Sequence, residues 1–204
     1  MNQTSDAAVS KMSKIWHYIR FDFEVLWLII TRPQETLQYS RLSELFRGKK
    51  LFPHFVLPLS VIASIANIVG MPLGFQDTSF ETEIIKSIFT FITYTLTYYV
   101  LKGFIHWFTA YGFNDKVHHW QTESLTAVIL GVTFAVKMLM GLFPSLFFIQ
   151  FFYVYTFYIV WQCSDTLVPI NENQKNRYMV IVTLFSFAMP VAVNFLLRLL
   201  VPNI

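Results

Sequence analysis

Few residues in this sequence have a type and spacing that could do chemistry. His118 and His119, with His106 and Asp115 nearby in the chain, form the one cluster that resembles a metal site. Zinc-binding imidazoles on a helix recur at i, i+4, so that both face one way. Adjacent histidines point about 100° apart on a helix, and no His-Glu-x-x-His pattern completes the set. No metal and no cofactor are expected. Nucleophilic catalysis lacks its parts too, since serines are present but no Gly-x-Ser-x-Gly elbow. Cys163 is the only cysteine, which excludes a disulfide framework and any site of several thiolates. It reads as a buried small hydrophobe or a lipidated thiol. No Walker or dinucleotide fingerprint occurs. The chain is not expected to be an enzyme.

Charges inside apolar stretches are the better lead, because they are costly in a membrane and mark function or pairing. Lys102 and Lys137 are the deepest of them, with Glu123 and Asp165 near the ends of apolar stretches. Either lysine can snorkel to the headgroups along its aliphatic stem. Pairing with a carboxylate would instead tie two helices together. Asp165 is the expected partner of Lys102, because Glu123 lies nearer the polar loop around His118 and His119.

The elements that carry these residues follow from composition. Of 204 residues, 55% are hydrophobic and only 13% charged, and mean hydropathy is +0.50. Soluble domains balance at roughly 45–50% apolar and 25% charged. The apolar excess excludes disorder, and a net charge of +3 gives no nucleic-acid footprint. The reading is an integral membrane protein. A bilayer core of about 30 Å needs about 20 apolar helical residues. From Leu51 to Gln76 there is no formal charge, which places a first span at 52–71, with Pro72 and Gly74 opening the following loop. A second fits 84–107, interrupted by Lys102. Leu125 to Cys163 carries Lys137 as its sole charge and is far too long for one crossing. Gly141 and Pro144 supply a turn, giving spans at 124–141 and 145–163. A fifth runs over 178–197 and contains Pro190.

Lysine and arginine set the orientation. Eight of them precede the first span, and Lys116, Lys175 and Arg177 fall in the second and fourth loops. The N-terminus is therefore expected in the cytoplasm and the C-terminus across the membrane. No signal-peptide pattern is evident at the N-terminus. Met12, Ile15, Trp16, Ile19, Phe23, Leu26, Trp27 and Ile30 instead form an apolar stripe at helical spacing. Arg20, Asp22 and Glu24 oppose insertion, so this helix is expected to lie in the interface plane. Arg32-Pro33 ends it, and Pro33 starts a second short helix closed by Gly48. The fold class is thus all-α: a polytopic bundle of five transmembrane helices with an N-terminal amphipathic interfacial helix. Residues 1–50 form a cytoplasmic region and 51–204 the transmembrane domain.

Several short motifs resemble the Yip family, five-span membrane proteins named for binding Ypt/Rab GTPases, and specifically its bacterial branch. They are Ile30-Thr31-Arg32-Pro33, Phe52-Pro53 with Leu57-Pro58-Leu59, and Leu142-Phe143-Pro144. Tyr153-Val154-Tyr155 with Trp161, the loop Ile170-Asn171-Glu172-Asn173-Gln174-Lys175-Asn176-Arg177, and Ala188-Met189-Pro190 complete them. The resemblance covers most of residues 23–204. It implies five spans, a cytosolic N-terminus and a bacterial cytoplasmic membrane. Eukaryotic members are linked to GTPase binding through an Asp-Leu-Tyr-Gly-Pro-type motif in a longer N-terminal region. That motif is absent here, so neither GTPase binding nor any functional residue is carried over. The expected role is a non-enzymatic membrane scaffold or interaction protein, with a small oligomeric transporter or channel as the alternative. Expected partners are the lipid bilayer and either a second copy or another membrane protein.

Overall fold

Proline, glycine and capping residues divide the chain into helices in a computed structural model, which describes residues 16, 19–46, 50–70, 79–113, 118–143, 145, 147–168 and 170–200. Among these residues there is helix and no strand. Helix α1 covers 19–31. Arg32 breaks it with an extended φ of −135°, and Pro33 opens the short α2, Pro33–Thr36. Helix α3 is Tyr39–Phe46. Helix α4, Phe52–Gly70, starts with a π turn over Phe52–Val56 in which the Leu57 N–H reaches back to the Phe52 carbonyl. Pro58 explains the wider turn: it has no N–H for the His54 carbonyl and its ring would press on that carbonyl in a regular helix. Helix α5, Phe80–Gly112, is capped by the Ser79 hydroxyl, which accepts from the Thr82 N–H at 3.3 Å. Glu81 and Glu83 in its first turn complement the helix dipole. Helix α6, His119–Leu142, is held by a reciprocal cap in which the His118 N–H donates to the Gln121 side chain at 2.8 Å. A 3₁₀ segment, Phe147–Val154, leads into α7, Tyr155–Thr166. Helix α8 is Glu172–Leu200, with Pro190 inside it.

Four of these helices, α4, α5, α6 and α8, are long and apolar enough to cross a membrane. Three of them overrun the boundaries expected from the sequence: α5 spans 80–112 rather than 84–107, α6 starts at 119 rather than 124, and α8 spans 172–200 rather than 178–197. Counting apolar residues to the bilayer thickness ignores helix that continues beyond it. The expected helix at 145–163 is built differently, as the 3₁₀ segment followed by α7. Its first eight residues are aromatic and β-branched apart from Gln150, types that lose rotamer freedom in an α-helix. Pro72, Gly74, Asp115, Lys116, Pro144 and the expected cap Gly48 lie outside the described residues.

Helix α6 is the axis of the bundle. It packs against α4, α5, α7 and the 3₁₀ segment, and 67% of its most apolar window is buried, against 22% for α8. Its closest neighbour is α4, where Ala63, Ala66 and Gly70 share a face. A Cβ on Gly70 would overlap the Gly141 carbonyl, and one on Gly141 would meet the Ala66 backbone at 3.0 Å. Small residues let the two backbones touch, which is how apolar helices gain packing without a hydrophobic driving force between them.

The expected stripe on α1 is split by the structure. Of its described members Leu26 is buried while Trp16, Phe23 and Trp27 are 70%, 39% and 66% exposed, and the face turned to the bundle carries Val25 and Ile29 instead. Leu26 and Phe55 pack over Gly131 of α6, within 3.5 Å and 3.2 Å of where its Cβ would stand. The Tyr155 hydroxyl donates to the Ile30 carbonyl at 2.8 Å, fixing α1 to α7. Asp22, read from the sequence with Arg20 and Glu24 as a charge that opposes insertion, is 1% exposed, because position 22 falls on the inward face with 25, 26 and 29. Arg20 and Glu24 do stay outside, paired at 2.8 Å.

Candidate functional site: a polar cavity at one end of the bundle

Polar residues at helical spacing on α4, α5, α6 and α8 converge on a cavity of about 920 Å³, closed on one side by Tyr153 and Val154 of the 3₁₀ segment. Helix α5 contributes Thr82, Glu83, Lys86, Phe89, Thr90 and Thr93, a single stripe of i, i+3, i+4, i+7 type. Helix α8 contributes Ser186, Phe187, Pro190, Val191, Asn194 and Arg198, again one stripe. Thr133 and Lys137 of α6, one turn apart, and Ala63 and Asn67 of α4, also one turn apart, complete the wall. A volume near the upper end of the roughly 300–1,000 Å³ range of small-molecule sites, open on part of its rim and lined by hydroxyls, amides and cations among apolar side chains such as Ile85, Phe89, Phe187 and Val191, is not a packing void.

Local chemistry explains how the wall stays stable. The Thr90, Thr133 and Ser186 hydroxyls donate to the carbonyls of Lys86, Ile129 and Val182 at 2.8, 3.1 and 2.7 Å. Their donors are satisfied within the helix and oxygen lone pairs remain for a ligand. Pro190 has no N–H, so the Ser186 carbonyl loses its helical donor beside the cavity. Non-helical or freed backbone at membrane depth is tolerated where it lines such a space. Glu83 is buried and accepts from Lys86 Nζ at 2.7 Å. The arrangement can hold and orient a polar group against an apolar wall.

The four charged residues singled out from the sequence go to three places. Lys137 lines the cavity. Lys102 and Glu123 pair with each other at 3.0 Å, with side chains 29% and 17% exposed, and Lys102 Nζ lies 5.9 Å from the Tyr98 ring. Asp165 instead pairs with Lys175, whose ammonium sits 4.5 Å above the Trp161 ring. The expected Lys102–Asp165 contact is therefore corrected: α5 presents Lys102 to α6, and Asp165 is taken by the first turns of α8. One turn beyond the Lys102–Glu123 pair, the rings of His106 and His119 stack at 4.2 Å. His118 serves as the cap of α6. Among the described residues no group of three or more His, Cys, Asp or Glu is placed to hold a metal ion.

Sequence reasoning weighed strong charges one at a time and missed the cavity. The signal was present in the periodicity of weaker polar groups, Thr82-Lys86-Thr90-Thr93 and Ser186-Pro190-Asn194-Arg198, within two otherwise apolar stretches. In comparisons with known proteins, the chain matches no family model, no curated protein and no solved structure.

Proposed function

We propose that this chain is a non-enzymatic, five-span membrane protein of Yip-like type whose working part is the polar cavity, which receives a small ligand. The observation that carries this reading is the cavity of about 920 Å³ between α4, α5, α6 and α8. A partly open cavity of this size, with hydroxyl, amide and cationic side chains set among apolar ones, suits a binding or transport role better than scaffolding.

Five crossings are supported by length. The eight 3₁₀ residues of 147–154 at about 2 Å each and the twelve of α7 at about 1.5 Å together reach roughly 34 Å. That matches a hydrocarbon core of about 30 Å. Helix α4 supplies the register. It begins where Phe52 packs 4.8 Å from Tyr98 and Phe55 lies over Gly131. Helix α6 has already run 12 residues, about 18 Å, by that point. Helices α5 and α6 therefore extend past the start of α4 on the inner side, which brings Lys102–Glu123, four residues from the start of α6, nearer the inner headgroups than the bilayer centre. Helix α1 then lies at the inner interface with Trp16, Phe23 and Trp27 toward lipid, as interfacial aromatics prefer. The cavity, around Asn67 and Lys137, falls in the non-cytoplasmic half.

Single cysteines at Thr90, Ser186 and Asn67, in a Cys163→Ala background, test the reading. In right-side-out vesicles a membrane-impermeant maleimide is expected to label them, and a control cysteine at Ala127, buried within α6, is not. Failure to label any of the three in folded protein sinks the proposal. A reporter fused after Ile204 that is active in the cytoplasm sinks the five crossings.

A further inference from the structure

The cavity wall carries more positive charge than its own carboxylate can neutralise. Resting on the reading of the cavity as a ligand site, we propose that it binds the phosphate group of an anionic lipid, with Lys137 and Arg198 as its cationic partners.

Three cations and one carboxylate line the space. Glu83 is already engaged by Lys86 at 2.7 Å. Lys137 and Arg198 have no ion pair among the described residues. Lys137 stands on α6, the most buried of the long helices, and its side chain lines the cavity. Its stem can carry the ammonium only along this wall, where Thr133, Asn67 and Arg198 also stand. An ammonium held at membrane depth without a counter-charge is costly, and a bound anion removes that cost by supplying the missing charge. Arg198, in the last turn of α8, adds a planar fork that matches phosphate oxygens.

The rest of the wall selects an amphiphile over a free anion. Thr90, Thr133 and Asn67 are polar partners for a headgroup. Ile85, Phe187 and Val191 line the same cavity yet are 39%, 36% and 69% exposed, so the apolar part of the wall runs out onto the outer faces of α5 and α8. An acyl chain follows that path into the bilayer, whereas inorganic phosphate gains nothing from it.

Detergent-purified protein titrated with phosphatidylglycerol, phosphatidylcholine or inorganic phosphate, with thermal melting as readout, tests this. Wild type is expected to bind phosphatidylglycerol more tightly than phosphatidylcholine and to be unmoved by millimolar phosphate. Lys137→Met is expected to weaken phosphatidylglycerol binding about tenfold, the loss of one charge-assisted contact of roughly 1.4 kcal/mol, and to leave phosphatidylcholine unchanged. Arg198→Gln, at the exposed end of α8, provides the same comparison should Lys137→Met fail to fold. Equal binding of the two lipids, or unchanged phosphatidylglycerol affinity in a folded Lys137→Met or Arg198→Gln protein, overturns the anion site. Phosphate alone reproducing the effect of phosphatidylglycerol overturns the lipid in favour of a free anion. Thr90→Trp, which fills the cavity, separates the two levels. If it leaves lipid binding intact the ligand lies elsewhere and the cavity reading itself fails; if it abolishes binding of both lipids equally tight in wild type, only the anion site has failed.

Discussion

Asp22 gives the sharpest test of how the N-terminal helix is held. It is 1% exposed, and neither carboxyl oxygen has a hydrogen-bond partner among the described residues. Burial raises its pKa from 3.8 to about 7, because a carboxylate without partners loses its hydration and gains nothing in return. The native state therefore binds this proton more tightly than the unfolded chain. Stability from it is complete below the unfolded value and is lost as pH rises through about 7. A shift of about three units at 1.36 kcal/mol each corresponds to roughly 4 kcal/mol, of which roughly 2.5 falls between pH 5 and pH 8. For a chain of this size that lowers a melting temperature by roughly 5–10 °C. The measurement is the melting temperature of detergent-solubilised protein across that window, for wild type and for Asp22→Asn. Histidines titrate in the same range, so the informative quantity is the difference between the two curves. The asparagine variant keeps the shape of the side chain but cannot ionise. It is expected to be flatter with pH and more stable than wild type at pH 8. Parallel curves would refute the reasoning, since the pH dependence would then belong to other groups.

Other consequences are as direct. In a double-mutant cycle, Lys102→Met with Glu123→Gln should show a coupling of about 1 kcal/mol, whereas Lys102→Met with Asp165→Asn should be additive in melting experiments. Gly70→Ala should cost roughly 1–3 kcal/mol by forcing α4 off α6. Gly103→Ala, whose Cβ meets nothing within 4 Å, should be neutral or raise stability by roughly 0.5–1 kcal/mol. Leu26→Asp should release α1 to protease in detergent-solubilised protein, and Phe23→Asp, on the outward face, should not; equal release would mean α1 does not dock through Val25, Leu26 and Ile29.

Helix existence was legible in the sequence because charges break most of the apolar runs, and Gly141 and Pro144 divide the one that charge leaves whole. Helix burial was legible only in part. Helix α6 distributes Thr122, Ser124, Thr126, Gly131 and Thr133 around its circumference, and all five are buried. Small and hydroxylated residues on every face belong to a helix surrounded by protein, because lipid would leave them unmatched. The 3₁₀ segment was only weakly signalled: Phe147–Val154 is as apolar as any span, and its aromatic and β-branched run disfavours a regular helix without specifying a tighter one. The burial of Asp22 was not legible, since a charge that opposes insertion says nothing of which way it turns until the packing of Leu26 over Gly131 of α6 fixes the inward face.

The partner of Lys102 shows why depth alone is too weak a criterion. Glu123 and Asp165 stand at similar distances from the membrane face along their helices, so a reading by depth cannot choose between them. What decides is azimuth, the direction each residue faces around its helix, and two pairs one turn apart fix it. Lys102 and His106 share a face of α5, and His119 and Glu123 share a face of α6, each pair spaced i, i+4. The structure joins Lys102 to Glu123 and His106 to His119, so four residues down α5 are matched by four residues up α6, as antiparallel helices require. Further along, Tyr94 meets Phe134 at 5.2 Å with the same sense. A lone Lys–Glu match between two apolar helices carries little information, because almost any register supplies one. Two polar pairs whose spacing satisfies a single antiparallel register are far more restrictive, and that pattern was present in the sequence before any coordinates. Asp165 stands on α7, which packs on α6 and α8 rather than along α5, and so it finds Lys175 at the start of α8 instead.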